Sequence, residues 1–274
     1  MFSALAALVG FYLAVALIAL PLGYVVPAAW KAGPWGLAFQ TVPLALAAVV
    51  VNLFLVRHRL ATWESLGWHG ARRNARAFGL GTGLGVGMAL LALAAALGPG
   101  SARLDLSGEP AWAYLVAMAR VGMVLAVAAL AEELLFRGFP LERLARPMGR
   151  VGASVALAVV FAAAHYGNPD ATPLGFVNIG LASLVLSAAF FTPGGLPAAW
   201  GVHLGWNAGL GLADAPVSGI ALGLPALEFR PGGPEWLTGG AFGPEGGLAA
   251  TIAMGLALIW LGRTAFEPGK GGST

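Results

Sequence analysis

The feature of this sequence that most restricts its fold is a series of long apolar stretches. An α-helix needs about 20 predominantly apolar residues to cross the hydrocarbon core of a membrane. Stretches that reach or approach this length lie at residues 3–28, 36–56, 78–98, 111–136, 151–166, 175–192, 198–213 and 247–264. Only 10% of the residues are charged, whereas soluble domains carry about 25%. We therefore expect an all-α fold, in which residues 1–274 form a single integral membrane domain of about eight transmembrane helices.

The basic residues predict the orientation and the surroundings of this bundle. With eight spans, the loops 57–77 and 137–150 share one side with both termini, and that side carries eleven of the 15 lysines and arginines. Basic loops stay on the cytoplasmic side, so we expect both termini in the cytosol. The basic runs flank apolar segments, which favours membrane lipid as a partner and argues against nucleic acid. The bias toward alanine, glycine, proline and arginine is typical of a prokaryotic chain, for which the membrane is the inner, cytoplasmic membrane.

Ionisable residues in the fourth apolar stretch indicate a functional site. Glu132, Glu133 and Arg137 lie at its end, and an ionisable group at membrane depth costs roughly 2.5–3.5 kcal/mol. In a helix, Glu133 and Arg137 form an i,i+4 pair, whereas Glu132 points about 100° away from that arginine. Adjacent carboxylates in different surroundings can take a structural and a chemical role. The alternative is that all three lie at a solvated helix end without any chemical role.

Two later apolar stretches carry further polar residues at helical spacing. Phe161 and His165 lie one turn apart, as do His203 and Asn207. Taken singly, such a histidine is more often a hydrogen-bonded packing residue. Polar groups on three helices of one bundle, however, have to face inward, because hydrocarbon leaves them unsatisfied.

In chain order, the motifs E-E-x-x-x-R, F-x-x-x-H and H-x-x-x-N resemble those of the CPBP family of intramembrane proteases. Eukaryotic members of that family include the Ras-converting CAAX prenyl endopeptidase. All three motifs are intact here, beginning at Glu132, Phe161 and His203. The resemblance covers about residues 130–210, within a motif-bearing core of about 111–213. The first three spans and the last one resemble the family only in their general character as apolar segments.

The resemblance implies a glutamate-dependent intramembrane endopeptidase that needs no cofactor. Glu132 with His165 would activate a water molecule to attack the scissile carbonyl, and His203 with Asn207 would stabilise the oxyanion. The substrate would be a membrane-embedded or lipid-modified peptide, for example a prenylated one. The oligomeric state is not predicted.

The resemblance also gives Glu133, Arg137 and Phe161 supporting roles, in which the ion pair holds Glu132 in place. Glu132 and His165 reach a similar depth if a hairpin closes near residues 146–150. His203 lies only about 8 Å of helix past residue 198, so it reaches the depth of the other site residues only if the T-P-G-G-L-P connection before it dips into the protein. The polar, glycine-rich segment 214–246 is expected to be one long external loop.

Three other functions are compatible with the same residues. Glu132, His165 and His203 could bind zinc with a water as fourth ligand, which would make the protein a metalloprotease, although the chain has no H-E-x-x-H helix. The residues could form a proton relay in a transporter. Finally, the chain could be a non-catalytic membrane scaffold or immunity factor. The absence of cysteine excludes a cysteine nucleophile and thiolate metal sites.

Overall fold

The computed structural model describes residues 1–27, 36–98 and 102–266. The helices are α1 (Phe2–Tyr24), α2 (Gly36–Arg57), α3 (Ala71–Leu97), α4 (Ala111–Phe136), α5 (Phe139–Ala164), α6 (Pro173–Phe191), α7 (Gly195–Gly211), the single-turn α8 (Glu235–Thr238) and α9 (Leu248–Ala265). Strands β1 (Arg103–Leu106) and β2 (Leu227–Arg230) pair antiparallel. Across the described ranges, the eight long helices confirm the predicted all-α polytopic bundle.

The long helices make the chain an integral, multi-pass membrane protein. By length and composition, six helical stretches of the described residues are able to cross a membrane. One of these, Ala111–Ala164, joins α4 and α5, while α7 has 17 residues and is not among the six. Lys31 and Lys270, which entered the charge count, lie outside the described residues. The cytosolic placement of the termini remains a prediction.

Helix α5 begins at Phe139, twelve residues before the predicted span. Its first part is amphipathic, with Phe139, Leu141 and Leu144 buried while Arg143 is partly exposed and Arg146 is exposed. The helix is interrupted at Gly149, whose backbone adopts φ 72° and ψ 167°, a left-handed φ that glycine adopts without strain. This break lies in the segment 146–150 where a hairpin was predicted.

Glycines bring α3 and α7 into very close contact. A Cβ atom added to Gly85 would lie 2.2 Å from the carbonyl oxygen of Val202, and one added to Gly205 would lie 2.3 Å from that of Thr82. Small residues at four-residue spacing allow membrane helices to approach at backbone distance. Trp200 on α7 also donates a hydrogen bond of 2.9 Å to the carbonyl of Ala126 on α4. The position of α7, which carries His203 and Asn207, is therefore fixed by backbone contacts.

The first turn of α7 is buried, whereas Pro193 in the connection before it is exposed, so the helix begins inside the protein without a buried connection. Leu196 is fully buried, and its backbone N–H donates to the carbonyl of Gly67 at 3.0 Å. Gly195 adopts φ 62°, and a Cβ there would collide with Gly67. The segment 58–70 thus covers the start of α7 and places it inside the protein.

Residues 214–246 fold onto the bundle, which corrects the expectation of one long external loop. The segment contains β2, α8 and two 3₁₀ turns, Gly240–Phe242 and Pro244–Gly246. Phe242 is fully buried and Glu245 is 4% exposed. Its glycines adopt positive φ at several turns, so the polar composition that predicted an open loop instead permits tight packing.

Candidate active site

Three side chains from separate parts of the bundle meet at one point. Oε2 of Glu132 lies 3.9 Å from Nε2 of His165 and 3.8 Å from Nε2 of His203. Both separations exceed a direct hydrogen bond and are short enough for one water to contact the carboxylate and an imidazole. Among the described residues, this carboxylate oxygen has no hydrogen-bond partner although it is buried. The carboxylate oxygen and the two imidazole nitrogens thus face one another across gaps that a water can bridge.

The hydrogen-bond partner of Nδ1 determines which nitrogen of each imidazole carries the hydrogen. Nδ1 of His165 is 2.8 Å from the carbonyl oxygen of Phe161, and Nδ1 of His203 is 2.8 Å from Oε1 of Glu133. Carbonyl and carboxylate oxygens accept hydrogen bonds, so Nδ1 is the donor in both rings. In its neutral form, each ring therefore directs the Nε2 lone pair toward Glu132, whereas a protonated ring directs an N–H there.

Glu133 and Arg137 form the predicted ion pair, with Oε1 and Nη1 3.4 Å apart. Both side chains are 0% exposed, which rules out the alternative of a solvated helix end. Arg137 Nη2 also donates to the hydroxyl of Ser183 at 2.9 Å. The shortest hydrogen bond of Glu133 goes to His203. The resemblance implied that this ion pair holds Glu132 in place. In the structure, the direct contact of Glu133 is instead with His203.

Phe161 contacts both His165 and the buried Arg137. Its carbonyl accepts from His165, and its ring centroid lies 4.5 Å from the ring of His165. On the same ring, the Cζ atom of Arg137 lies 4.6 Å from the centroid, a cation–π distance. The supporting position expected for Phe161 therefore has a physical basis in both its backbone and its ring.

A cavity of about 420 Å³ extends from these groups into the bundle. Glu132, His165, His203 and Asn207 all line it, and Asn207 is 9% exposed. Most other lining residues are apolar, as is typical of ligand sites in which a few polar groups fix orientation. The four residues predicted to act in catalysis thus share one cavity.

The cavity also contains polar residues that the sequence analysis missed. Asn168, Ser218 and Glu245 line it. Glu245 Oε2 accepts hydrogen bonds of 2.8 Å from both the backbone N–H and the hydroxyl of Ser218, and Asn168 donates to the carbonyl of Ser218 at 3.0 Å. Asn168 follows His165 by three residues and could have been suspected. Glu245 is a lone acid in a polar segment and gave no such signal.

The alternative zinc site would consist of Glu132, His165 and His203. Within residues 1–27, 36–98 and 102–266, no group of three or more His, Cys, Asp or Glu side chains is arranged to hold a metal ion. Glu132, His165 and His203 therefore do not form such a group in this arrangement.

Fold and site together define a polytopic membrane protein with a buried glutamate and histidine centre. Residues 111–209 match the family described as Rce1-like, type II CAAX prenyl endopeptidase Rce1-like. This match covers less than half of the chain; it confirms the resemblance drawn from the three motifs and supports an intramembrane endopeptidase function. No curated protein and no solved structure matched the chain.

Proposed function

We propose that the protein hydrolyses a peptide bond with a water molecule activated by Glu132 and His165. The single observation that carries this proposal is the position of Glu132 Oε2, which is buried and faces the Nε2 atoms of two imidazoles at 3.8 and 3.9 Å. A water bound here would donate its two hydrogens to Oε2 of Glu132 and Nε2 of His165 and direct a lone pair into the cavity.

In the proposed reaction, the water oxygen attacks the scissile carbonyl carbon while Glu132 takes one of its protons. The carbonyl π electrons move onto oxygen and form a tetrahedral oxyanion. When this intermediate collapses, the C–N bond breaks and the proton passes through Glu132 or His165 to the leaving amine. Because the Phe161 carbonyl holds Nδ1–H of His165, Nε2 of that ring is the atom that exchanges protons.

His203 and Asn207 would stabilise the oxyanion. The amide of Asn207 can donate directly. His203 can donate from Nε2 only as an imidazolium, since its Nδ1–H is directed at Glu133. The Glu133 carboxylate favours that cation through a short charge-assisted hydrogen bond. In this proposal Glu133 is a positioning residue for His203, and Arg137 in turn holds Glu133.

The substrate is proposed to be a membrane-associated peptide, with prenylated peptides as the first class to test. The largely apolar cavity suits a segment that arrives from the lipid phase. Both termini are proposed to lie in the cytosol, in the inner membrane of a prokaryotic cell, because of the uneven distribution of arginine in the loops.

The proposal is tested by incubating purified protein with a quenched-fluorescent farnesylated peptide. Glu132→Gln should abolish cleavage, while Glu142→Gln, which alters the more exposed i,i+4 pair with Arg146, should leave it unchanged. Cleavage by Glu132→Gln at the wild-type rate would refute the mechanism. Loss of wild-type activity after exhaustive chelation, restored by zinc, would favour the metalloprotease instead.

A further inference from the structure

A second groove lies at the ends of the helices beside the connection between α6 and α7. Its volume is about 490 Å³, and it is bounded by α3, α7 and α9. Its apolar part is formed by Leu80, Leu84, Ala198, Trp260 and Leu261. We call it the arginine groove, because three arginines from two helices, Arg73, Arg76 and Arg263, line one end.

The charges in the arginine groove are of one sign. No carboxylate occurs among its lining residues in the described part of the chain. Arg73 donates from Nε and Nη2 to the carbonyl of Pro193 at 3.0 and 2.6 Å, which fixes the guanidinium and leaves three of its five N–H groups for another acceptor. Three arginines around an apolar groove complement a molecule with an anionic head and an apolar tail.

The exposed residues in the wall of the groove indicate whether that molecule is a membrane lipid or a soluble anion. Leu80 is 66% exposed and Trp260 is 62% exposed, and both lie on helices able to span a membrane, so these side chains face lipid. Tryptophan is enriched where headgroups meet hydrocarbon, and basic pockets between membrane helices bind acidic headgroups. A free phosphate would contact the arginines and leave the apolar part unused.

We infer that the arginine groove binds an anionic phospholipid. Its phosphate contacts Arg73, Arg76 and Arg263, and one acyl chain lies along Leu84 and Leu261. This inference concerns a site separate from the peptidase centre and does not depend on the proposed function.

A lipid in the arginine groove would also contact a helix that lines the catalytic cavity. Val202 on α7 lines both the groove and the cavity, and it directly precedes His203. A lipid in the groove therefore packs against the helix that carries His203 and Asn207. Its binding is expected to stabilise α7 in the position seen here.

The test measures lipid retention and melting temperature of the purified full-length protein, with phosphatidylglycerol compared with phosphatidylcholine. Wild-type protein should retain phosphatidylglycerol about tenfold better or more and melt at a higher temperature with it. The triple variant Arg73→Ala/Arg76→Ala/Arg263→Ala should lose this preference. Arg57→Ala/Arg72→Ala/Arg143→Ala removes the same charge outside the groove and should keep it. Equal retention by both triple variants would overturn the inference.

A second variant separates the apolar contact from the charges. Leu84→Trp fills the apolar part while the arginines remain, so it should lower lipid retention without changing net charge. Glycerol phosphate, which has the headgroup without chains, should not reproduce the melting shift. An equal shift by glycerol phosphate, or displacement of phosphatidylglycerol by a farnesylated peptide, would contradict the assignment of this groove to a phospholipid.

Discussion

Gly205→Ala should separate α7 from α3 and misalign the catalytic cavity. A Cβ at this position would lie 2.3 Å from the carbonyl oxygen of Thr82 and also approach the carbonyl carbon and Cα of Thr82 at 2.9 Å. Real Cβ contacts are essentially never below 3.0 Å, so the helices must move apart by about 0.7 Å or more. All three nearest atoms are backbone, and no side-chain rotation relieves the clash.

The expected effect follows from where Gly205 lies. It is two residues from both His203 and Asn207, so the displacement passes directly to the proposed oxyanion donors. A misplacement of about 1 Å can reduce a rate about 100-fold, and overpacking of this kind costs about 1–3 kcal/mol of stability. We expect cleavage of the farnesylated peptide to fall by one to two orders of magnitude and the melting temperature in detergent to drop.

Gly83→Ala is the matched control for this prediction. Gly83 lies on α3 near the same contact, and a Cβ there meets no atom within 4 Å. It should retain wild-type activity and melt at the same or a slightly higher temperature, because alanine favours helix over glycine. If Gly205→Ala and Gly83→Ala are indistinguishable in activity and melting, close glycine packing does not position α7.

Further predictions concern buried charges and the segment after α7. Arg137→Met leaves a buried carboxylate without its cation and should cost about 3–5 kcal/mol of stability, measured by unfolding in mixed micelles, whereas Arg146→Met at an exposed pair should cost less than about 1 kcal/mol. Glu245→Ala removes the acceptor of two Ser218 donors and should lower the free energy of local opening by about 1–3 kcal/mol, detected as faster proteolysis within residues 214–246. Burial raises the pKa of Asp214, against the lowering effect of backbone hydrogen bonds. Folding therefore favours its protonated form, so its stabilising contribution is present below the usual aspartate pKa and is lost as pH rises through the raised value. Asp214→Asn should flatten that part of the melting profile.

Much of the fold could be predicted because spanning length is a property of local composition. One exception, besides the segment 214–246, was the first part of α5. Glu142, Arg143, Arg146 and Arg150 made this segment look like a cytosolic loop. In the helix these charged residues are partly or fully exposed, while Leu141 and Leu144 are buried. Hydropathy averaged over a window does not detect an amphipathic helix whose two faces cancel.

The residues of the candidate site could be predicted from the sequence more fully than the contacts between them. The i,i+4 spacing of Glu133 and Arg137 is local and gave the ion pair correctly. The 2.8 Å bond between Glu133 and His203 joins residues on different helices and depends on how deeply α7 is inserted. That depth is set by contacts such as Gly67 with Leu196, which no single motif encodes.

Glu245 and Ser218, which also line the cavity, could not be predicted for the same reason. Glu245 and Ser218 are 27 residues apart in the chain and meet through turns at positive-φ glycines. Their contribution to the cavity arises only once the segment 214–246 has folded onto the bundle.

The central claim is that Glu132 and His165 act on one water molecule as a unit. Its most direct test is the cleavage rate of the double variant Glu132→Gln/His165→Ala, compared with the two single variants on the same peptide. Groups that work as a unit lose little more when both are removed than when one is, so the double variant should be no slower than the slower single variant. Losses that multiply would show that the two residues contribute independently, and would contradict a shared water.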